Sequence, residues 1–562
     1  MISSKIILRL CGAAAGLLCG ISCVSVNTEL GQDFLAMNMQ YDIKTDSFGL
    51  SDVQLQTPDD LSGYSLYRFT VGAIRDDVFG LTERSCAFTL VPVNDTLDFG
   101  KKGTLSIKRF HFSGIPDTVS VAQNSQRYIL QNIHVHPLVS PLEAEKAVTE
   151  VYYDGSRHIS EGIPVYNGQD TLSFNFTKAY AEDFIDRFQK LQAQDDSIDI
   201  KEYTKEFPGI YLATDAPVEN GGRINMFKLP IDVSSSIIYG SYAELSFRAE
   251  FDGEAKDTSY VFYLGPVERY NMMGVSSTTV TDYPQIAYNF SKSGSDAMKG
   301  AATTEILLEG GKGLKPVIKA KALRDQILAN MAAQGVDPTK VVVNHATLSL
   351  SFSYPENLDD MQWYPVAVSP TCRIKQKDGS YTFAGISDAS SEDEDQGDLN
   401  RLENDCCYTP DVTFHIQELL KVKDESKLEN YDIWLLPMGE DVIDTHSSSS
   451  NSDYSNYLQQ LAYASYYNSM YNGYGGYGGY GGYGYGGYGY GGYGGYNSYY
   501  NNYYNYAMLS ALYSQSSSSS SSTTVQEQMD LLRYYRASLA GPESADIQHR
   551  PSFSIVYSVA QD

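Results

Sequence analysis

At 562 residues the chain is too long for one ordinary core, so two or three domains are expected. Its formal charge is −28, and removing a leader that carries Lys5 and Arg9 takes it to −30. That balance excludes nucleic acid, whose affinity rests on cationic side chains displacing counterions, and excludes adhesion to anionic lipid headgroups by charge.

Residues 1–22 combine Lys5 and Arg9 with an apolar run from Ile6 to Leu18 and small residues Gly20 and Ser22 before Cys23. A charged start, a short apolar stretch and a small residue at the cut describe a secretory signal peptide. The run is far below the roughly 20 residues that span a bilayer. Cys23 as first mature residue is the bacterial lipobox arrangement, which makes it the expected lipid attachment site. The blander alternative is a plain cleaved signal with an incidental cysteine. Cys19 is a poorer candidate because bulky Leu18 precedes it.

Residues 23–60 are polar and lack helical periodicity, which predicts a lipid-anchored tether. Short stretches with period-two alternation follow, including Thr104–Phe112, Leu130–His136, Thr171–Phe176, Ala243–Phe251, Val341–Phe352 and Ser552–Val559. In Ala243–Phe251, Leu245, Phe247 and Ala249 alternate with Glu244, Ser246, Arg248 and Glu250, the pattern of a half-buried antiparallel strand. Two helices interrupt the strands. One carries the stripe Tyr180, Phe184, Phe188, Leu191; the other is expected over Pro316–Gln334, with proline in its first turn and Gly335 as its stop.

Element order suggests an internal repeat. Asp117–Val121, Asp170–Thr177, the helix after it, Gly209–Leu212 and Ala243–Phe251 correspond to Ala346–Leu350, Asp411–Gln417, Glu418–Val422, Asp432–Leu436 and Ser552–Val559. The expected fold is therefore mostly β: two tandem antiparallel β-sandwich domains of jelly-roll-like kind, 61–265 and 266–562, with a few inserted helices. The alternative is that strands of any all-β chain look alike.

Two low-complexity stretches interrupt the second domain. Residues 389–404 are acidic and polar, and 441–526 hold repeated Tyr-Gly-Gly triplets between serine runs. Both are expected to be disordered, since glycine at this density carries a large ordering entropy that no aliphatic side chain offsets. The stretch Tyr454–Tyr513 contains 21 of the chain's 46 tyrosines, so aromatic content overstates the supply for packed cores. Such tyrosines can stack on sugars or partner surfaces. Nucleic-acid stacking is discarded there, because no Arg or Lys accompanies them.

Four cysteines remain beyond Cys23: Cys86, Cys372, Cys406 and Cys407. In an exported chain a disulfide is allowed, and Cys372 with Cys406 or Cys407 is the expected pair. His134-x-His136 places two imidazoles on one strand face, half a metal site, with no third ligand tied to it by spacing. A surface pair without metal is the plainer reading, so no metal or cofactor is expected. Asp59-Asp60, Asp76-Asp77 and Asp359-Asp360 read as turns or solvated faces, since strand neighbours point to opposite sides. Neither a Gly-x-Ser-x-Gly elbow nor a phosphate-binding Gly-x4-Gly-Lys-Ser/Thr loop occurs.

Gly31-Gln-Asp-Phe-Leu35 and Val71-Gly-Ala-Ile-Arg-Asp-Asp-Val-Phe-Gly80 resemble the opening of the Bacteroidota lipoproteins that carry domain of unknown function 4270. Phe207–Leu212, Val343–Leu350 and Phe553–Tyr557 resemble later blocks of that family. The resemblance implies an exported, lipid-anchored, mostly β protein and supplies no catalytic residue. The acidic loop and the Tyr/Gly insertion depart from it. The expectation is a non-enzymatic binding or structural protein of the cell envelope, at the outer membrane through its anchor, with a glycan or envelope protein as partner. Its alternatives are a glycan-binding surface lipoprotein and a fimbria-like subunit of a surface assembly.

Overall fold

The computed structural model describes residues 41–445 and 522–560, apart from 59–63, 66–67, 94–96, 143–150, 194–199, 230–231, 235–236, 266–286, 353–354, 356–357, 376–380, 387, 389–395, 401–405 and 530–531. The expected signal peptide, Cys23 and most of both low-complexity stretches lie outside the described residues. No helix among the described residues is long and apolar enough to cross a membrane.

The chain is mostly strand, paired antiparallel. In chain order the principal elements are β1 (Tyr41–Gly49), β2 (Val53–Gln56), β3 (Arg68–Asp76), β4 (Gly80–Pro92), β5 (Ser106–Gly114), β6 (Pro116–Val121) and β7 (Gln131–Pro137). Then come β8 (Leu172–Asn175), α1 (Lys178–Gln192), β9 (Ile210–Thr214), β10 (Gly221–Lys228), β11 (Tyr242–Phe251), β12 (Glu254–Gly265) and β13 (Ala287–Ser293). The remainder are β14 (Lys315–Ile318), α2 (Ala320–Ala333), β15 (Val341–Ser351), β16 (Ala367–Lys375), β17 (Cys407–Pro410), α3 (Thr413–Lys421), β18 (Ile433–Thr445) and β19 (Ser552–Ala560).

Alternation builds the sheets as the residues dictate. In β11, Ala243, Leu245, Phe247 and Ala249 are buried while Arg248 points out to solvent. Thr177 caps α1 by accepting the Tyr180 N–H, and Tyr180, Phe184, Phe188 and Leu191 all face the core. Gly209 turns the chain into β9 at φ +123°, and a Cβ there would meet the Phe88 carbonyl at 2.3 Å.

One succession of pairings occurs twice. The row β8-β5-β11-β12 has the counterpart β17-β15-β19-β1. The run β4-β9-β7 likewise has the counterpart β14-β18-β16. In both halves a helix follows the short end strand and packs back on its neighbour, α1 on β5 and α3 on β15. The counterpart of β15 is thus β5, not the Asp117–Val121 stretch expected from sequence. Asp411–Gln417 likewise begins α3 rather than forming a strand; the strand is Cys407–Pro410.

Three other expectations are corrected. Residues 41–56, expected in the tether, are strands: β1 pairs with β19 along its whole length and β2 pairs with β14. The boundary at 265/266 does not hold either, because β13 returns to pair with β4. Residues 41–56 and 552–560 both build the second core, and the first is nested between them. Finally, Pro316 lies in β14, and α2 begins only at Ala320, where Asp432 accepts the Ala320 N–H at 2.9 Å. Gly335, at φ +70°, ends this helix as expected.

Candidate functional site

Between the cores lies a cleft of about 430 Å³. The first half contributes Arg75, Asp76, Asp77, Asn124 and Asn220; the second contributes Asp360, Gln362, Trp363 and Arg536. A rigid frame holds these groups. Asp76 ends β3 and accepts the backbone N–H groups of Val78 and Phe79 at 2.8 and 2.9 Å, which fixes the turn into β4. Its other oxygen pairs with Arg536 from the second half. The Arg536 guanidinium in turn lies 4.9 Å from the centre of the Trp363 ring. Trp363 Nε1–H crosses to the Val121 carbonyl at 2.9 Å, and Asn220 donates to Asp77.

An apolar contact of Ile74, Ile224, Trp363 and Tyr534 seals one side of the joint. A buried polar joint holds another. Glu309 of the second half accepts from Thr82, Ser293 and Ser295 of the first, each at 2.6 Å. Lys315 donates to the carbonyls of Glu309, Gly311 and Gly313, and burial pulls its ammonium down to about 7. These contacts come from both halves, so the cleft walls are mutually fixed.

Two of the carboxylate pairs read from sequence reach this cleft, through Asp76-Asp77 and Asp360; Asp59-Asp60 lies outside the described residues. Asp76 makes the turn that was expected and lines the cleft as well. That it shares the cleft with Asp360, nearly 300 positions away, has no sequence signal. The expected Cys372–Cys406 bridge is not formed: Cys86, Cys372, Cys406 and Cys407 are all free and buried. The Cys372 thiol faces His415 Nδ1 at 3.8 Å, while Cys407 lies 3.1 Å from the Ser349 hydroxyl. The Cys406 carbonyl accepts the Phe352 N–H at 2.8 Å just past the end of β15, so Cys372, Cys406 and Cys407 are each fixed to a different neighbour.

His134 and His136 share one face of β7, as the spacing predicts, with ring centres 6.2 Å apart. His158, which the spacing did not tie to them, joins from the connection to β8. Its ring lies 4.5 Å from that of His136 and 5.5 Å from that of His134. Elsewhere, fully buried Arg223 is satisfied by Asn225 and by the carbonyls of Arg127, Ile129 and Tyr166. That is a structural role. No family model matches this chain, and neither does any curated protein or solved structure.

Proposed function

We propose that this chain is a lipid-anchored protein of the cell envelope, held at the outer membrane through Cys23, that binds a polyhydroxylated ligand of glycan type in the intercore cleft without transforming it. The cleft carries the reading. Carboxylates of Asp77 and Asp360, the amides of Asn124, Asn220 and Gln362, and Arg75 present donors and acceptors at the density that sugar hydroxyls match. Buried joints on both sides pre-organise these groups, which lowers the ordering cost of binding.

The segment from Cys23 to Tyr41 reaches at most about 60 Å, so the anchor keeps the second core close to the bilayer. The resemblance to Bacteroidota lipoproteins carrying domain of unknown function 4270 supports the same placement, as does the acidic balance, which leaves membrane contact to acyl chains. A reading as two jelly-roll-like sandwiches, the first nested in the second rather than placed in tandem with it, is supported by the doubled pairing order.

Glycan-array binding of the mature protein tests the ligand, alongside Asp360→Asn, Asn220→Ala and a chain lacking 446–521. Binding lost in the two cleft variants and kept in the deletion supports the cleft. Binding lost only in the deletion moves the site to the Tyr/Gly tract, and no bound glycan overturns the reading. Mass spectrometry of the native protein tests the anchor: an unmodified Cys23 removes it.

A further inference from the structure

Of the eight histidines of this chain the spacing offers only the His134–His136 half-site, yet a third, His158, meets them on one surface. β7 places His134 and His136 on the same face, two residues apart. The connection after β7 then folds back along it: Val139 N–H reaches the Tyr152 carbonyl at 3.0 Å, and Ile159 N–H reaches the Val135 carbonyl at 3.1 Å. Between those bonds Asp154 accepts the Ser156 N–H and hydroxyl, a turn that brings His158 over β7. One ligating atom from each of the three histidines lies within 4.8 Å of the others.

Their hydrogen bonds set the chemistry. His136 Nδ1 faces the Arg157 carbonyl at 3.0 Å, an acceptor only, so that nitrogen carries the proton and Nε2 carries the lone pair. His134 Nε2 faces Asp215 Oδ1 at 2.7 Å, so its proton sits there and Nδ1 is the lone-pair nitrogen. Asp215 is itself fixed by Asn132 at 2.8 Å. A carbonyl or carboxylate behind a ligating imidazole orients the ring and raises its basicity, the arrangement that surrounds metal-bound histidines. His136 is 7% exposed, while His158 stands open to solvent.

We propose that His134, His136 and His158 form a binding site for a divalent transition-metal cation of the zinc class, with Asp215 and the Arg157 carbonyl positioning two of the three rings. Imidazole nitrogen selects late first-row ions over magnesium or calcium. Nitrogens about 2.0–2.1 Å from a tetrahedral ion lie about 3.3 Å apart, so ring rotations of about an ångström close the cluster. Three protein ligands leave the fourth position to water on the solvent side. The ion would tie the 152–159 connection to β7, and none of its three ligands lines the intercore cleft.

The test is calorimetric titration of untagged, chelator-treated full-length protein with zinc chloride at neutral pH, beside His158→Ala and Asp215→Asn. His158 is exposed, so its removal leaves the core intact. The expected result is one zinc ion per chain, bound tenfold or more weakly by each variant. X-ray absorption of the zinc-loaded protein should show three imidazole nitrogens at about 2.0 Å. No zinc uptake by the wild-type chain overturns the site, as does His158→Ala binding zinc as tightly as wild type. Glycan binding is read separately, so either reading fails without the other.

Discussion

The two cores share an order of strand pairing but not a filling. Among the described residues the first core holds 13 phenylalanines, with Phe110 packed on Phe176, Tyr180, Phe184 and Phe262. The second holds three, Phe79, Phe352 and Phe553, and is otherwise largely leucine, isoleucine and valine. Such a pair shows that pairing order survives when the packing solution is replaced, because alternation and volume determine a sheet's face while side-chain identity determines only its detail. The same point holds at one matched place. The third residue of α1 is Tyr180 and the third of α3 is His415, both buried.

The largest predicted effect addresses the nesting. Val53 is fully buried in the second core, although it precedes the whole of the first. Val53→Asp places an unpaired carboxylate there and should destabilise the second core by about 5 kcal/mol, read by denaturant unfolding. A tether residue would tolerate the change, so an unaltered midpoint would remove β2 from the core.

The next prediction uses the Tyr180–His415 difference. His415 donates Nε2–H to the Tyr431 carbonyl at 3.0 Å, and burial lowers its pKa to about 4. Tyr180 is raised to about 12 and stays neutral throughout the acid range. A depressed histidine is fully compatible with the fold above about pH 6.5. Between there and about 4 the unfolded chain binds the extra proton, so stability falls as pH falls, by about 3 kcal/mol in all. Asp388 and Asp432, raised by burial, act in the opposite sense. The histidine's share is therefore the difference in pH slope between wild type and His415→Asn. Equal slopes would show that His415 does not titrate on unfolding.

Legibility followed pattern length. The alternation of Ala243–Phe251 and the three- and four-residue steps from Tyr180 to Leu191 were readable because each pattern recurs several times. β1 was not, since most of it is exposed and Tyr41-Asp-Ile-Lys-Thr-Asp-Ser has no strong apolar face. Val53-Gln-Leu-Gln56 does alternate, but over four residues only. Pro316 imitates a helix start because a strand of four buried residues looks like the first turn of the helix after it. The repeat was partly readable from element order and misassigned at its upstream strand, where differing core residues leave nothing to align. For the sites, the His134–His136 half was visible, and His158 and the placing of Asp76 and Asp360 in one cleft were not. Both depend on how loops close over strands.

The smallest effect tests whether the two cores move as one. Trp363 spans them, donating Nε1–H to Val121 beneath the Arg536 guanidinium. Trp363→Phe keeps an aromatic face for Arg536 and removes only the donor, at a cost of about 1 kcal/mol. Beside it, Tyr534 N–H is bonded to Ser120 Oγ across the same joint at 3.2 Å, which makes that amide a reporter of local opening. Its hydrogen exchange should accelerate about fivefold in the variant, while amides inside β11 and β15 keep their rates, since 1 kcal/mol corresponds to that factor in an opening equilibrium. Acceleration spread equally through both sheets would mean that the indole stabilises each core rather than the seam. Unchanged exchange at Tyr534 would mean that the indole donor adds nothing to the seam, and that the Asp76–Arg536 pair, the apolar contact and the Glu309 joint hold the cleft walls without it.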